Sequence, residues 1–266
     1  MPEELALARV LAHPLEAVSG AIMHRARHDA PLVRAGTTEH FVVEYQRHLG
    51  GEGEKLAQGV LGICETDWGR VQGWFSGALP DDLPFRCVIV RGNFGAFHRT
   101  CSDTDVHVAA FDEHNPELVE MVLMAEVVEV FSAHQRRGWN CGASNGEGLS
   151  RVLATELHPS QLDGFATASA WLNSKRPNFV DLNDPTDQHA VSTGCAVLFL
   201  NYLRYQLGYS WQDIVAHGRP TLAETAHSLT KKASNVWATF STLMDTHFPP
   251  GTRVNLAGDN VFPLRP

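Results

Sequence analysis

A chain of 266 residues is long enough for one large composite core, and 44% hydrophobic with 19% charged residues is the composition of an ordinary globular protein. The formal charge of −9 is spread along the chain without an acidic block, which argues for solubility and against a nucleic-acid or membrane partner. No stretch approaches the roughly 18 apolar residues of a spanning helix, and the acidic start Met1-Pro2-Glu3-Glu4 does not read as a signal peptide, so the expected location is cytoplasmic.

In chain order, residues 5–24 read as a helix and 40–45 as a short strand. After Gly50-Gly51, the helical spacing of Leu56, Val60, Ile63, Cys64, Trp68, Val71 and Phe75 predicts a helix over 54–74. Pro80 and Pro84 mark a loop, and residues 86–90 and 105–111 read as strands. Asn115 caps a helix with Pro116 at its first position, and that helix runs to about residue 137. A break over 138–144 leads into a second helix over 145–157, stopped before Pro159. Further helices are predicted over 164–173, 190–207, 210–217, 221–229 and 234–248. Strands first and helices after give an α+β class: a sheet-bearing part over 1–114 and a helical part over 115–266, together one composite unit.

The five cysteines (Cys64, Cys87, Cys101, Cys141, Cys195) form no CxxC pair, so reduced, mostly buried thiols are expected and a cysteine zinc site is not. Gly50-Gly51-Glu52-Gly53-Glu54-Lys55 lacks the serine or threonine of a phosphate-binding loop and reads as a plain loop.

The most informative stretch is Met124-Ala125-Glu126-Val127-Val128-Glu129-Val130-Phe131, followed by Ser144-Asn145-Gly146-Glu147-Gly148-Leu149-Ser150-Arg151. Glu126 and Glu129 are three apart, so a helix sets them on one face. The helix is otherwise apolar nearly all round, which is the signature of burial. Buried carboxylates require hydrogen bonds, a cation or protonation. Pairing with Arg136 or Arg151 at a polar edge is the plain structural alternative.

This pattern resembles the gluzincin branch of the zincin metallopeptidases, aminopeptidase-like enzymes that carry HExxH on one helix and a glutamate in an N-E-G context on the next. The resemblance covers about residues 35–250 and includes Trp74-Phe75 and the stretch from Gly194 to Gly208. It implies a zincin-like fold: a strand-containing N-terminal part packed on the motif helices, a helical C-terminal lobe and a cleft between. In that frame Glu126 matches the general base and Glu147 approximates the third ligand, while Ala125 and Glu129 stand where the two histidines belong. An alanine cannot hold zinc, so ordinary zinc peptidase activity is not expected and no metal is assigned. A set of carboxylates suits calcium, magnesium or manganese better, which leaves a hard divalent cation as the open alternative.

Three functions follow as expectations. The first is a repurposed, hydrolase-like enzyme in which Glu126, Glu129 and Glu147 crowd together as acid and base for a small-molecule or peptide-like substrate. The second is a non-catalytic pseudopeptidase that binds a ligand or partner. The third is a serine hydrolase, because Gly142-Ala143-Ser144-Asn145-Gly146 matches G-x-S-x-G, with Asp184 or Asp187 and His189 as partners of Ser144. Against it, no buried strand precedes Ser144, and Ser144 with Glu147 reads as a capping box. His98 and His107, near the strands before the acidic helix, and His134, two turns beyond Glu126, are candidate substrate-binding groups, as is Tyr202 as an oxyanion donor.

Overall fold

The computed structural model describes residues 30–92, 95–110, 115–161, 166–231 and 235–265. The helix expected over 5–24 lies outside the described residues.

Five strands form one mixed sheet: β1 (Leu32–Thr37), β2 (Phe41–Gln46), β3 (Phe85–Arg91), β4 (Ala96–Phe97) and β5 (Asp105–Ala110), in the order β1-β2-β3-β5-β4. The central pairs β2–β3 and β3–β5 are parallel, while β1 and β4 run antiparallel at the two edges. Period-two alternation sorts the side chains. Phe41, Val43, Tyr45, Phe85, Cys87, Ile89, Val106 and Val108 join the core. From the intervening positions Arg34, Glu44, Arg86 and Asp105 form a ladder of ion pairs across four strands. Both edge strands escaped the sequence reading, since β1 is half-buried with a glycine inside it and β4 has two residues.

The crossover from β2 to β3 is α1 (Gly50–Trp74), which begins at the glycine pair rather than after it. Leu56, Val60, Cys64, Trp68 and Val71 form its buried stripe. Beyond β5 come α2 (Pro116–Gln135) and α3 (Ser144–Leu157). Asn115 caps α2 as expected, its side chain accepting from the Glu117 amide at 3.0 Å, with Pro116 in the first turn. The remaining helices are α4 (Ala168–Leu172), α5 (Ala190–Asn201) running on into a π-type turn (Tyr202–Gln206), α6 (Trp211–Ala216), α7 (Leu222–Thr230) and α8 (Val236–His247). Ser210, Thr221 and Asn235 cap the last three.

One hydrophobic core runs from Phe41 on the sheet, through α2 and α5, to Phe262 in the C-terminal tail. The architecture is mixed α+β, and no described helix is long and apolar enough to cross a membrane. The expectation for the cysteines needs one correction. Cys64, Cys87 and Cys195 are buried thiols, but Cys101 and Cys141 are joined in a disulfide. Widely spaced cysteines carry no pairing signal until the fold brings two loops together.

Candidate functional site

A cavity of about 490 Å³ opens between the sheet edge at β4, helix α2 and helix α3. Helix α2 presents Met121, Val122, Ala125, Glu126 and Glu129 to it, and α3 presents Glu147, Ser150, Arg151, Ala154 and Thr155. Both sets follow i, i+3/i+4 spacing, so each is one face of its helix. His98 and Cys101 enter from the loop after β4, and Asp187 and Gln188 from the loop before α5.

The start of α3 is what aims Glu147. Asn145 is buried, and its amide nitrogen lies 3.0 Å from the Gly138 carbonyl and 3.3 Å from those of Arg219 and Pro220. Its oxygen accepts from the Gly146 amide at 2.8 Å and the Asn183 side chain at 2.8 Å. A Cβ on Gly146 would come within 2.1 Å of the Asn140 carbonyl oxygen, and one on Gly148 within 2.6 Å of the Ala196 Cβ on α5. The Asn-Gly-Glu-Gly run is therefore a fixture: one side chain ties three chain segments, and two missing side chains let the helix seat closely.

In the cavity the groups are arranged around His98. Its Nδ1 lies 3.2 Å from the Asp103 carbonyl oxygen, which accepts only, so Nδ1 is the donor there. Its Nε2 faces two carboxyls, Glu129 Oε2 at 3.0 Å and Glu126 Oε2 at 3.4 Å. The other Glu129 oxygen is 3.2 Å from the Ser150 hydroxyl. Glu147 is ion-paired with Arg151 one turn along α3.

Burial, together with the charges of Glu129, Glu147 and Asp187, pushes the Glu126 carboxyl well above its ordinary range. Burial also raises Glu129, to about 7, although the His98 and Ser150 hydrogen bonds pull the other way. Burial works against a charged imidazole at His98, but the Glu129 contact outweighs it and the His98 pKa is raised. Two carboxyls and an imidazole thus share few protons within a small volume, and they titrate as a group.

Of the residues expected from the sequence, Glu126, Glu129, Glu147 and His98 meet in this cavity. Three do not line it. His107 alternates with the core-facing Val106 and Val108 on β5, so the pleat turns it to the far face, where it stacks on Phe97 and lies 3.7 Å from Asp105. His134 is eight residues past Glu126, a rotation of about 80° at the helical pitch, and sits 3.5 Å from Asp81. Tyr202 is packed among Phe199, Phe240 and Phe262 in the core of the helical part.

The capping box is also corrected. Ala143 occupies the N-cap of α3 without a side-chain bond, and Glu147 turns to Arg151 instead. The Ser144 hydroxyl is buried, donates to Asn183 at 2.9 Å and accepts from the Asp184 amide at 3.0 Å. His189 pairs with Asp184 at 2.7 Å, but no hydrogen bond joins His189 to Ser144, so the described residues do not assemble a nucleophilic triad. Sequence reading missed Ser150, the disulfide and the place of Asp187 in the cavity. Ser150 was findable as the i+3 neighbour of Glu147, whereas Asp187 sits in a loop with no periodicity to betray it.

A zinc held as in a zincin does not fit: Ala125 supplies no donor, and Glu129 offers a carboxylate where an imidazole is needed. Among the described residues a different donor set converges. His98, Glu129 and Cys141 each offer an atom within 4.8 Å of the others. Comparison of the chain with protein-family models, with curated proteins and with solved structures gives no match.

Proposed function

We propose that this cavity is the active site of a hydrolase-like acid/base enzyme acting on a small-molecule or peptide-like substrate, with Glu126 as the proton-transferring group. The observation that carries the reading is convergence: Glu126, Glu129 and Glu147, drawn from two helices, line one cavity together with His98 and Arg151. Glu129 and His98 are proton partners within hydrogen-bond reach of each other. Arg151 holds Glu147 and brings a guanidinium to the cavity lining, a group suited to an oxyanion or a substrate carboxylate. The relation of the two helices, with Glu126 and Glu147 meeting across them, is also what a zincin-like frame with a rebuilt site would give. Size favours a compact substrate, because a cavity of about 490 Å³ lies at the small-molecule end of ligand sites.

The test is a screen of ester, amide and lactam substrates with wild-type protein and Glu126→Gln, folding being followed by circular dichroism. Turnover that disappears in the folded variant supports the assignment; unchanged turnover removes Glu126 from it.

One observation favours the second reading, a pseudopeptidase that binds without turnover. Glu147 is neutralised by Arg151 and Glu129 is engaged by His98 and Ser150, so the polar groups are largely satisfied by one another. A ligand that binds the wild type and Glu126→Gln equally and is released unchanged is the outcome that reading requires.

A further inference from the structure

We infer that His98, Glu129 and Cys141 form a zinc site that the Cys101–Cys141 disulfide closes and its reduction opens. The inference rests on the reading above for its setting, since it concerns the same cavity, but it is tested by metal binding rather than turnover.

The first support is the orientation of His98. Its Nδ1 is committed to the Asp103 carbonyl, so in the neutral ring the Nε2 lone pair points at Glu129 Oε2, 3.0 Å away, and towards Glu126 Oε2 at 3.4 Å. A lone pair facing carboxylate oxygens is repulsive unless a positive centre lies between them. A proton, on the ring or on one of the carboxyls, is one such centre and a metal ion is another. An imidazole whose far nitrogen is held by a backbone carbonyl is also the usual arrangement of a metal-ligating histidine.

The second support is Cys141. Its sulfur reaches the same point as the other two donors, within 4.8 Å of both. Bond lengths of roughly 2.0 Å to nitrogen and oxygen and 2.3 Å to sulfur bring tetrahedral ligands to within about 4 Å of one another, so a closing movement of the order of 1 Å completes the site. A nitrogen, an oxygen and a thiolate together select zinc over the hard cations that carboxylates alone would take. Three protein ligands leave the fourth position for water, with Glu126 beside it.

The disulfide makes the site conditional. In the oxidised chain the Cys141 sulfur is bonded to Cys101 and is not a thiolate. A dithiol reductant breaks that bond by exchange: it supplies two electrons and two protons, leaves as its own disulfide, and releases Cys101 and Cys141 as thiols. Zinc then displaces the proton of Cys141 to solvent. With the metal in place Glu129 is a ligand and no longer a proton partner, so the oxidised and reduced forms offer different chemistry. The other cysteines do not compete in the folded chain, because Cys64, Cys87 and Cys195 are fully buried.

Cobalt(II) and zinc, each added alone, are the probes. Protein is prepared oxidised, and reduced with a dithiol that is then removed by anaerobic desalting. Expected are about one equivalent of zinc in reduced wild type, none in oxidised wild type, and a near-ultraviolet cobalt–thiolate band only in the former. Cys101→Ser should bind one equivalent without reductant, whereas Cys141→Ser should bind none in either state. The two variants lose the same cross-link, so their difference reports the ligand and not stability. Equal binding by oxidised and reduced wild type, or equal behaviour of the two variants, overturns the inference. Failure of Glu126→Gln to affect turnover would leave these measurements untouched.

Discussion

Glu120 and Glu126 stand less than two turns apart on α2, the first fully buried and the second partly so, both with carboxyls raised well above their ordinary range, and first of all by desolvation. At Glu120 neither oxygen has a hydrogen-bond partner, and the titratable groups facing it are Asp67 and Cys64 on α1 and Cys87 on β3. At Glu126 the neighbours are His98, Glu129, Glu147 and Asp187, around an open cavity. A perturbed carboxyl is therefore not the mark of a site. What distinguishes one is a space for a second molecule and several polar groups from separate elements aimed into it.

The sharpest way to break that comparison is to make the same substitution at both positions. Glu126→Gln is expected to lower turnover by about 10²- to 10⁴-fold, the range for losing a general acid or base. Glu120→Gln is expected to leave it unchanged. Steady-state kinetics on one substrate checks both, and similar losses at the two positions would mean that helix integrity rather than cavity chemistry is being measured.

The disulfide sharpens the contrast from the other side, since it ties the loop after β4 to the loop between α2 and α3 and frames only the cavity. It closes a loop of 40 residues, for which chain entropy predicts about 4 kcal/mol of stabilisation. Urea denaturation of oxidised protein and of the Cys101→Ser/Cys141→Ser double variant measures it. A loss well below about 1 kcal/mol would show that the two loops are already held together without the bond.

Much of this arrangement was legible in the residues, and the exceptions have identifiable causes. Helix α2 announced itself through Asn115, Pro116 and an apolar surface, and Glu126, Glu129 and Glu147 through their spacing, because helical periodicity is a local property. His98 was placed near the cleft by its neighbourhood to a strand. His107 failed because one residue of register on a strand reverses a side chain, and the register is fixed by the pairing Phe97↔His107. The ends of α3 illustrate a different limit. Asn145 stands beside the expected capping serine, yet its five side-chain hydrogen-bond partners come from residues 138, 146, 183, 219 and 220, and four of the five contacts are made across loops that no local pattern records. The pairing of Cys101 with Cys141 is non-local in the same sense.

Asn145 also provides the next test. Asn145→Ala leaves the carbonyls of Gly138, Arg219 and Pro220, in part-buried surroundings, and the buried Gly146 amide short of a partner. A cost of about 3 kcal/mol is expected, since each unsatisfied buried group costs about 1–3 kcal/mol and some of these regain water. Because the start of α3 also aims Glu147, turnover should fall more than the folded fraction does. Loss of stability with kcat unchanged would make Asn145 a purely structural tie.

The smallest expected effect lies at Glu120 and depends on pH. Its folded-state pKa is raised above the unfolded value by burial and then by the charge of Asp67, so between those two values the folded chain holds a proton that the unfolded chain has released. Stability contributed by the protonated group is complete below the ordinary carboxylate range and declines as pH rises towards the folded pKa, with a limiting slope of about 1.4 kcal/mol per pH unit for one proton. Glu120→Gln has no proton to release and should escape the decline. Urea midpoints of wild type and variant are expected to be close at pH 4 and to separate in favour of the variant by pH 8. A separation that shrinks with rising pH would reverse the sign, and would mean that Glu120 finds a cationic partner that its surroundings of Asp67, Cys64 and Cys87 do not supply.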